Sequence, residues 1–170
     1  MRKHHHTRKH LSKHQQSATA IAVIRSPNNS IDGDVVVTPY KRGIKLDATF
    51  RALPPGKHGF HIHRAGDLRG EGCKGLCAHY DKGNHTHGAG PTSTRGAQRH
   101  TGDLGNIELK PRTKTLKKRY YLPNVAVHEL WGRSIIVHQD ADDLGKGNHD
   151  DSHITGHSGA RIGCAVFGRG

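Results

Sequence analysis

Short runs in which apolar and polar residues alternate constrain the fold of this chain more than any other feature. The clearest run covers residues 44–51, where Ile44, Leu46, Ala48 and Phe50 alternate with charged or polar residues. A period of two places the apolar side chains on one face of a half-buried β-strand. The sequence has no sustained helical periodicity, and glycine makes up 22 of its 170 residues, which favours tight turns. The chain is therefore predicted to fold into β-strands.

Eight short strands can be assigned from runs of this kind, with turn-forming segments such as SPNNS and IDGD between the first of them. The predicted strands cover residues 18–24, 35–38, 44–51, 58–63, 104–110, 120–127, 133–138 and 161–167. Many short strands joined by turns indicate an all-β, antiparallel sandwich or barrel. The segments 64–103 and 139–159 have little strand character. Loops of this length are usually functional, so the chemistry is expected there.

The first 17 residues differ from the rest of the chain, with five lysines or arginines, five histidines and no acidic residue. Leu11 is the only large aliphatic residue after Met1, so little apolar surface offsets the entropy of ordering. Residues 1–17 are predicted to be a disordered basic arm that precedes one domain at 18–170. The arm could be a solubilising tail, part of an expression tag, a segment that binds nucleic acid or another polyanion, or one that scavenges metal.

The formal net charge is +13, from 27 lysines and arginines against 14 acidic residues, so partners or substrates are expected to be negative. The longest apolar run, residues 20–24, is too short to span a membrane, which excludes a transmembrane protein. No apolar segment of a secretory signal follows the basic N-terminus, so a cytoplasmic location is predicted. A basic arm would also suit packaging beside nucleic acid in a virus particle.

Histidine is unusually frequent, with 17 residues, so the three His-x-His pairs are about what chance provides. The pair His61/His63 has a favourable context, because Phe60 and Ile62 can enter the core while both histidines lie on the outer face of the strand. Two imidazoles fixed in this way suit copper or zinc; the alternative is a pair of surface histidines. The following loop and a later strand end add further candidates: Cys73, Cys77, His79, His85, His87, His100, Asp103 and His138.

Several motifs, in this order, resemble those of the copper–zinc superoxide dismutases. They are GFHIH at 59–63, GDLGN at 102–106, VH at 137–138, ADDLGKG at 141–147 and GARIGC at 159–164. The resemblance covers nearly all of residues 18–170. It implies an eight-stranded Greek-key β-barrel or sandwich with two long functional loops. It also implies an enzyme that converts superoxide to dioxygen and hydrogen peroxide through a redox-cycling copper bridged to a structural zinc.

The resemblance implies two metal sites that share His79 as the bridging ligand. Copper is expected at His61, His63, His79 and His138, and zinc at His79, His87, His100 and Asp103. His85 is then a surplus histidine. Asp142 is expected to join the copper ligand His61 to the zinc ligand His87, since such partners fix the orientation of a ligating ring.

The resemblance further implies a disulfide between Cys73 and Cys164. Cys77 is additional, and is either a free thiol or a competing disulfide partner. Arg161 is expected to guide the anionic substrate to copper, with Thr155 across the channel.

Three positions in the substrate channel and the dimer interface depart from the family pattern. The channel usually has a lysine before the threonine, where this chain has Ile154, so local steering is expected to be weaker unless the net charge compensates. A homodimer is expected, but Ala65 and Arg169 replace apolar residues of the usual interface, although Phe167 could compensate.

The remaining histidines of the domain are expected to be solvated surface residues: His58, His128, His149, His153 and His157.

Three other functions fit the sequence less well than a dismutase does. A dismutase-like copper chaperone would normally lack a copper ligand or the arginine at 161. A basic nucleic-acid-binding protein would explain the arm and the basic segment 110–119, but not the ordered ligands. A metal store would need neither Asp142 nor Arg161.

Overall fold

A computed structural model describes residues 18–26, 28–91 and 98–170 of the chain. Within these ranges it contains nine strands, one short α-helix and two turns of 3-10 helix. The strands are β1 Ala20–Arg25, β2 Asp32–Tyr40, β3 Gly43–Ala52, β4 His58–His63, β5 Asp103–Ile107, β6 Leu116–Pro123, β7 Ser134–His138, β8 Arg161–Val166 and β9 Gly168–Arg169. The helices are α1 Ser152–Thr155 and the 3-10 turns Lys74–Leu76 and Val127–Glu129. The predicted basic arm at 1–17 lies outside the described residues.

Two antiparallel sheets form a β-sandwich, which confirms the predicted all-β class. One sheet has the order β6-β3-β2-β1-β9 and the other the order β5-β4-β7-β8. The pairing of β3 with β6 and of β4 with β7 joins strands that are distant in sequence. Among the described residues, no helix has the length and apolar character needed to cross a membrane.

The core lies between the sheets, where the strands bury most of their large apolar residues. In β3 the burial alternates along the strand as its sequence predicts, and Phe50 packs edge-on against Phe60 of the opposite sheet at 5.5 Å between ring centroids. Phe167 is also buried in this core, with 1% of its surface exposed. Phe167 therefore cannot supply the apolar interface suggested for it.

Strand β4 departs from simple alternation, because all six of its residues are buried. Phe60 and Ile62 face the core as predicted, but His61 and His63 are not open to solvent. The loop that follows β4 folds back over them, with the Tyr80 amide donating to the Ile62 carbonyl and the Arg64 amide to the Ala78 carbonyl. The outer face of this sheet is therefore a buried surface.

Some predicted strand limits are wrong. The segment IDGD, interpreted as a turn, lies mostly within β2, because Asp32 and Asp34 form ion pairs with Arg25 and Arg51 on the neighbouring strands. The sixth predicted strand, 120–127, begins earlier, at Leu116, and ends at Pro123. The predicted loop 139–159 contains the helix α1.

Candidate metal centre

Four buried histidines, which we call the four-histidine set, meet on the outer face of β4 and β7. Three belong to these strands, and His79 comes from the first long loop, where it forms an isolated β-bridge with His63. The ring centroid of His79 lies 4.2 Å from that of His61 and 4.8 Å from that of His63. One nitrogen from each ring lies within 4.8 Å of the others in the set His61, His63, His79 and His138.

The hydrogen bonds of these four rings leave one nitrogen of each ring free. The unpartnered atoms are His61 Nδ1, His63 Nε2, His79 Nε2 and His138 Nε2, and all four are buried. The second nitrogen of each ring has a partner. His61 Nε2 lies 2.9 Å from Asp142 Oδ2, and His63 Nδ1 lies 2.9 Å from the Cys77 carbonyl. His79 Nδ1 lies 2.8 Å from Asp103 Oδ1, and His138 Nδ1 lies 3.3 Å from the Gly159 carbonyl. Buried polar atoms rarely lack a partner. Four that converge fit a metal for which imidazole is a good ligand, such as copper or zinc.

A second group, the three-histidine–aspartate set, surrounds Asp103 Oδ1. The Nδ1 atoms of His79, His87 and His100 lie 2.8, 3.1 and 3.3 Å from this oxygen. The other oxygen of Asp103 accepts hydrogen bonds from the amides of Gly88 and His100, so the carboxylate is fixed with Oδ1 towards the rings. Three imidazoles and one carboxylate make a ligand set that suits tetrahedral zinc.

His79 and Asp142 join the two sets. His79 presents Nε2 to the first set and Nδ1 to the second. Asp142 faces His61 Nε2 with Oδ2 at 2.9 Å and His87 Nε2 with Oδ1 at 2.7 Å. Each of these two rings is thereby held with its Nδ1 towards its own set. The structure thus brings together all the residues expected at the two metal sites.

Burial keeps three rings of the four-histidine set neutral. It lowers the pKa of His79 to about 4 and that of His138 to about 3, with neighbouring His61 adding to the effect. The pKa of His63 is lowered well below its usual value for the same reason. A histidine must be neutral to bind a metal, so these rings need not lose a proton at neutral pH.

At His87 and Asp142, contacts between carboxylates and rings outweigh the effect of burial on the pKa values. Burial alone would raise the pKa of Asp142, but hydrogen bonds from His61 and His87 outweigh it and lower the pKa to about 2. Burial would lower the pKa of His87, yet its contacts with Asp103 and Asp142 raise it to about 9. Asp142 is therefore a carboxylate at neutral pH and can act as a hydrogen-bond acceptor for both rings.

Arg161 opens β8 directly opposite His138 in the strand register. Its guanidinium is held by three backbone carbonyls of the first loop: Cys73 at 2.8 Å, Lys74 at 3.0 Å and Cys77 at 2.6 Å. The Cys77 carbonyl also accepts from His63, so one residue fixes both Arg161 and a ring of the four-histidine set. Thr155 lies in α1, where its hydroxyl donates to Asp151 at 2.9 Å.

The expected disulfide between Cys73 and Cys164 is present and links the first loop to β8. Cys77 is an exposed free thiol, which decides between the two alternatives for this residue. Its backbone lies at φ 61°, ψ −155°, a region that is sparsely populated for residues other than glycine.

Three residues that support the site were not predicted. His58, expected at the surface, is buried and bonds the carbonyls of His138 and Pro54. Asn106 pairs its amide with the backbone of Asp142 in both directions. Gly156 lies at φ +70°, and a Cβ there would overlap Asp142 Oδ1 and His87 Nε2. The other expected surface histidines are exposed: His128, His149, His153 and His157.

Comparisons with known proteins agree with this geometry. A family model described as copper/zinc superoxide dismutase matches residues 31–167. The Cu-Zn superoxide dismutase of Paramecium bursaria Chlorella virus 1 is 41% identical over 154 residues, which cover 88% of this chain and 78% of the relative. The extracellular Cu-Zn superoxide dismutase of Drosophila melanogaster is 38% identical over 159 residues, covering 91% of this chain and 84% of the relative.

A solved structure gives the same result for the fold. The crystal structure of the clock protein EA4 is 33% identical, covers 94% of this chain and 98% of its own, and superposes with a TM-score of 0.78. The family model alone spans most of the described residues and both ligand sets. The chain therefore belongs to the copper/zinc superoxide dismutase family.

Proposed function

We propose that this chain is a superoxide dismutase that uses copper at the four-histidine set and zinc at the three-histidine–aspartate set. The observation that carries the proposal is the convergence of four buried, unpartnered ring nitrogens beside a second set that shares His79. When bound, copper supplies the one-electron redox couple that superoxide disproportionation needs, and zinc supplies a fixed positive charge.

His79 is the residue through which we expect a proton to move. Its Nδ1 stays anchored beside Asp103, so the ring keeps its orientation whichever group Nε2 holds. Nε2 is buried and has no other partner among the described residues. We infer that this atom takes up a proton during the cycle and donates it to the peroxide product.

Arg161 is the residue proposed to position superoxide. A guanidinium is always charged and planar, and three carbonyl contacts hold this one next to the His138 strand position. Ile154 is 62% exposed and adds no charge to the channel. Thr155, tied to Asp151, is proposed as the opposite wall.

The complete ligand sets favour a dismutase over a copper chaperone or a metal store. Asp142 and Arg161 have no role in storage, and both are fixed by specific hydrogen bonds. The cytoplasmic location stays a prediction, and several relatives carry the name extracellular superoxide dismutase. The altered homodimer also stays a prediction; Ala65 is partly buried, and Arg169 is exposed and lies over the ring of Trp131.

Replacing His138 tests the copper assignment. His138→Ala removes one nitrogen from the four-histidine set and leaves the other set complete. We expect superoxide dismutation to collapse while zinc content stays near that of the parent. Elemental analysis and a superoxide assay on the metal-reconstituted full chain measure both quantities. Retention of most of the activity would contradict the assignment.

Replacing Asp142 tests the link between the two sets. Asp142→Asn cannot accept hydrogen bonds from both His61 and His87, so the affinities for copper and zinc should both fall, by about 10–100-fold. Asp140→Asn, an exposed aspartate of the same loop, is the control and should keep parental affinity. Competition with a chelator measures each metal. Equal affinities in the two variants would show that Asp142 does not orient the rings.

Replacing Arg161 and Ile154 tests substrate guidance. Electrostatic steering raises association rates by roughly 10–10³-fold and weakens with salt, with superoxide dismutase itself a known example. Arg161→Ile should lower the second-order rate constant and flatten its salt dependence, whereas Ile154→Lys should raise the rate at physiological salt. Pulse radiolysis over an ionic-strength series measures both. An Arg161→Ile enzyme as fast and as salt-sensitive as the parent would exclude this guiding role.

A further inference from the structure

A basic segment on the five-stranded sheet takes no part in the metal centre. Residues 110–119, KPRTKTLKKR, contain six cations and no acidic residue, and all six are exposed. Among the described residues, only Arg119 of these six has an ion-pair partner, Asp47. The other five positive charges are therefore available to a ligand.

Strand β6 presents part of this segment in a regular array. It is an edge strand of its sheet. Lys117, Arg119 and Tyr121 are exposed at every second position, whereas Tyr120 and Leu122 are buried on its other face. Side chains two residues apart on a strand are about 6.8 Å apart. This spacing is comparable to that of neighbouring phosphates in an extended single strand of nucleic acid.

Two exposed tyrosines continue the array. Tyr121 of β6 and Tyr40 at the end of β2 lie 4.9 Å apart between ring centroids, with 46% and 39% of their surfaces exposed. The Lys41 ammonium lies 5.2 Å from the centroid of the Tyr40 ring. Exposed aromatic rings beside unpaired cations are the two components with which proteins bind single-stranded nucleic acid, since bases stack on the rings and phosphates meet the cations.

The fold separates this surface from the metal centre. Tyr40, Lys117 and Tyr121 belong to the sheet β6-β3-β2-β1-β9, whereas the strand ligands of the centre belong to the sheet β5-β4-β7-β8. A ligand on the first sheet would leave the proposed substrate channel open.

We propose that this tyrosine–basic surface, formed by Tyr40, Lys41, Lys117, Arg119 and Tyr121, binds single-stranded nucleic acid. The net charge of +13 supports attraction to any polyanion, and the tyrosine pair favours one whose flat bases can stack on the rings. Lysines on an edge strand also discourage pairing with other sheets. Preventing such pairing does not require two exposed tyrosines beside the lysines, so this role does not account for Tyr40 and Tyr121.

The test measures binding of a fluorescent 20-nucleotide oligothymidylate to the full chain by anisotropy. Replacing both rings, Tyr40→Leu with Tyr121→Leu, should weaken binding at least ~5-fold for each stacked base. The matched control, Tyr40→Phe with Tyr121→Phe, keeps both rings and should bind like the parent. Parental affinity in the leucine variant, or no binding by the parent, would overturn the proposal.

The charges are tested separately. Lys41→Gln with Lys117→Gln should reduce the slope of log affinity against log salt by about 1.4, or ~0.7 for each lost phosphate contact. Lys57→Gln with Arg69→Gln removes the same charge from exposed residues outside the surface and should leave the slope nearly unchanged. Equal slopes in the two variants would place the binding elsewhere, for example in residues 1–17, and overturn the proposal.

The source of the anion is distinguished by competition. When competitor concentrations are expressed per negative charge, an unlabelled oligothymidylate should displace the probe at a lower concentration than heparin. In the leucine variant the two competitors should displace the probe at the same concentration. Heparin that competes equally well against the parent and the leucine variant would show binding through charge alone, which contradicts the nucleic-acid assignment. Superoxide dismutation should be unchanged in all these variants, which also verifies that they fold.

Discussion

The two contacts of Asp142 hold together parts of the chain that are otherwise distant. Its carboxylate joins His61 on β4 to His87 in the first long loop, while Asp142 itself belongs to the second long loop. The side chain is fully buried, and a buried charge is costly unless it is paired and hydrogen-bonded. Both rings and the Leu144 amide face it. Without these contacts the two loops would lose one of their attachments, another being the hydrogen bond from the His87 amide to the His153 carbonyl. The two rings would also be free to turn their Nδ1 atoms away.

The sandwich supplies the rest of the geometry by burying every residue of β4 and β7. The core fixes β4 and β7 from the inside through Phe60, Ile62 and their neighbours, and the loops cover the same strands from the outside. Histidines that project from such strands can change direction little. The disulfide between Cys73 and Cys164 attaches the first loop to β8, and Arg161 adds three contacts to the same turn of backbone. The guanidinium proposed to position superoxide is thus also one of the groups that hold the loop over the centre.

Local pattern predicted the strands well and the burial of the site poorly. The limits of β4 agree with the predicted strand 58–63 because the glycine and proline residues before it mark the turn in the sequence. The burial of His61 and the role of His58 depend on residues far along the chain. His58 bonds the carbonyl of His138, 80 residues away, and no periodicity contains that information. The ligand sets were predicted from the resemblance that the ordered motifs carry. Such an order reflects contacts between residues distant in the chain, whereas the spacing of two neighbouring histidines does not.

The cations of β6 and the guanidinium of Arg161 differ in what they can act on. At physiological salt, charges more than about 8 Å apart in solvent are largely screened, and stacked sheets lie about 10 Å apart. The cations of β6 lie on the sheet opposite the metal centre, so they add little to the potential there. Arg161 lies opposite His138 in the strand register. If superoxide is guided as proposed, its approach depends on this one fixed guanidinium, whereas the cations of β6 contribute to what the five-stranded sheet can bind.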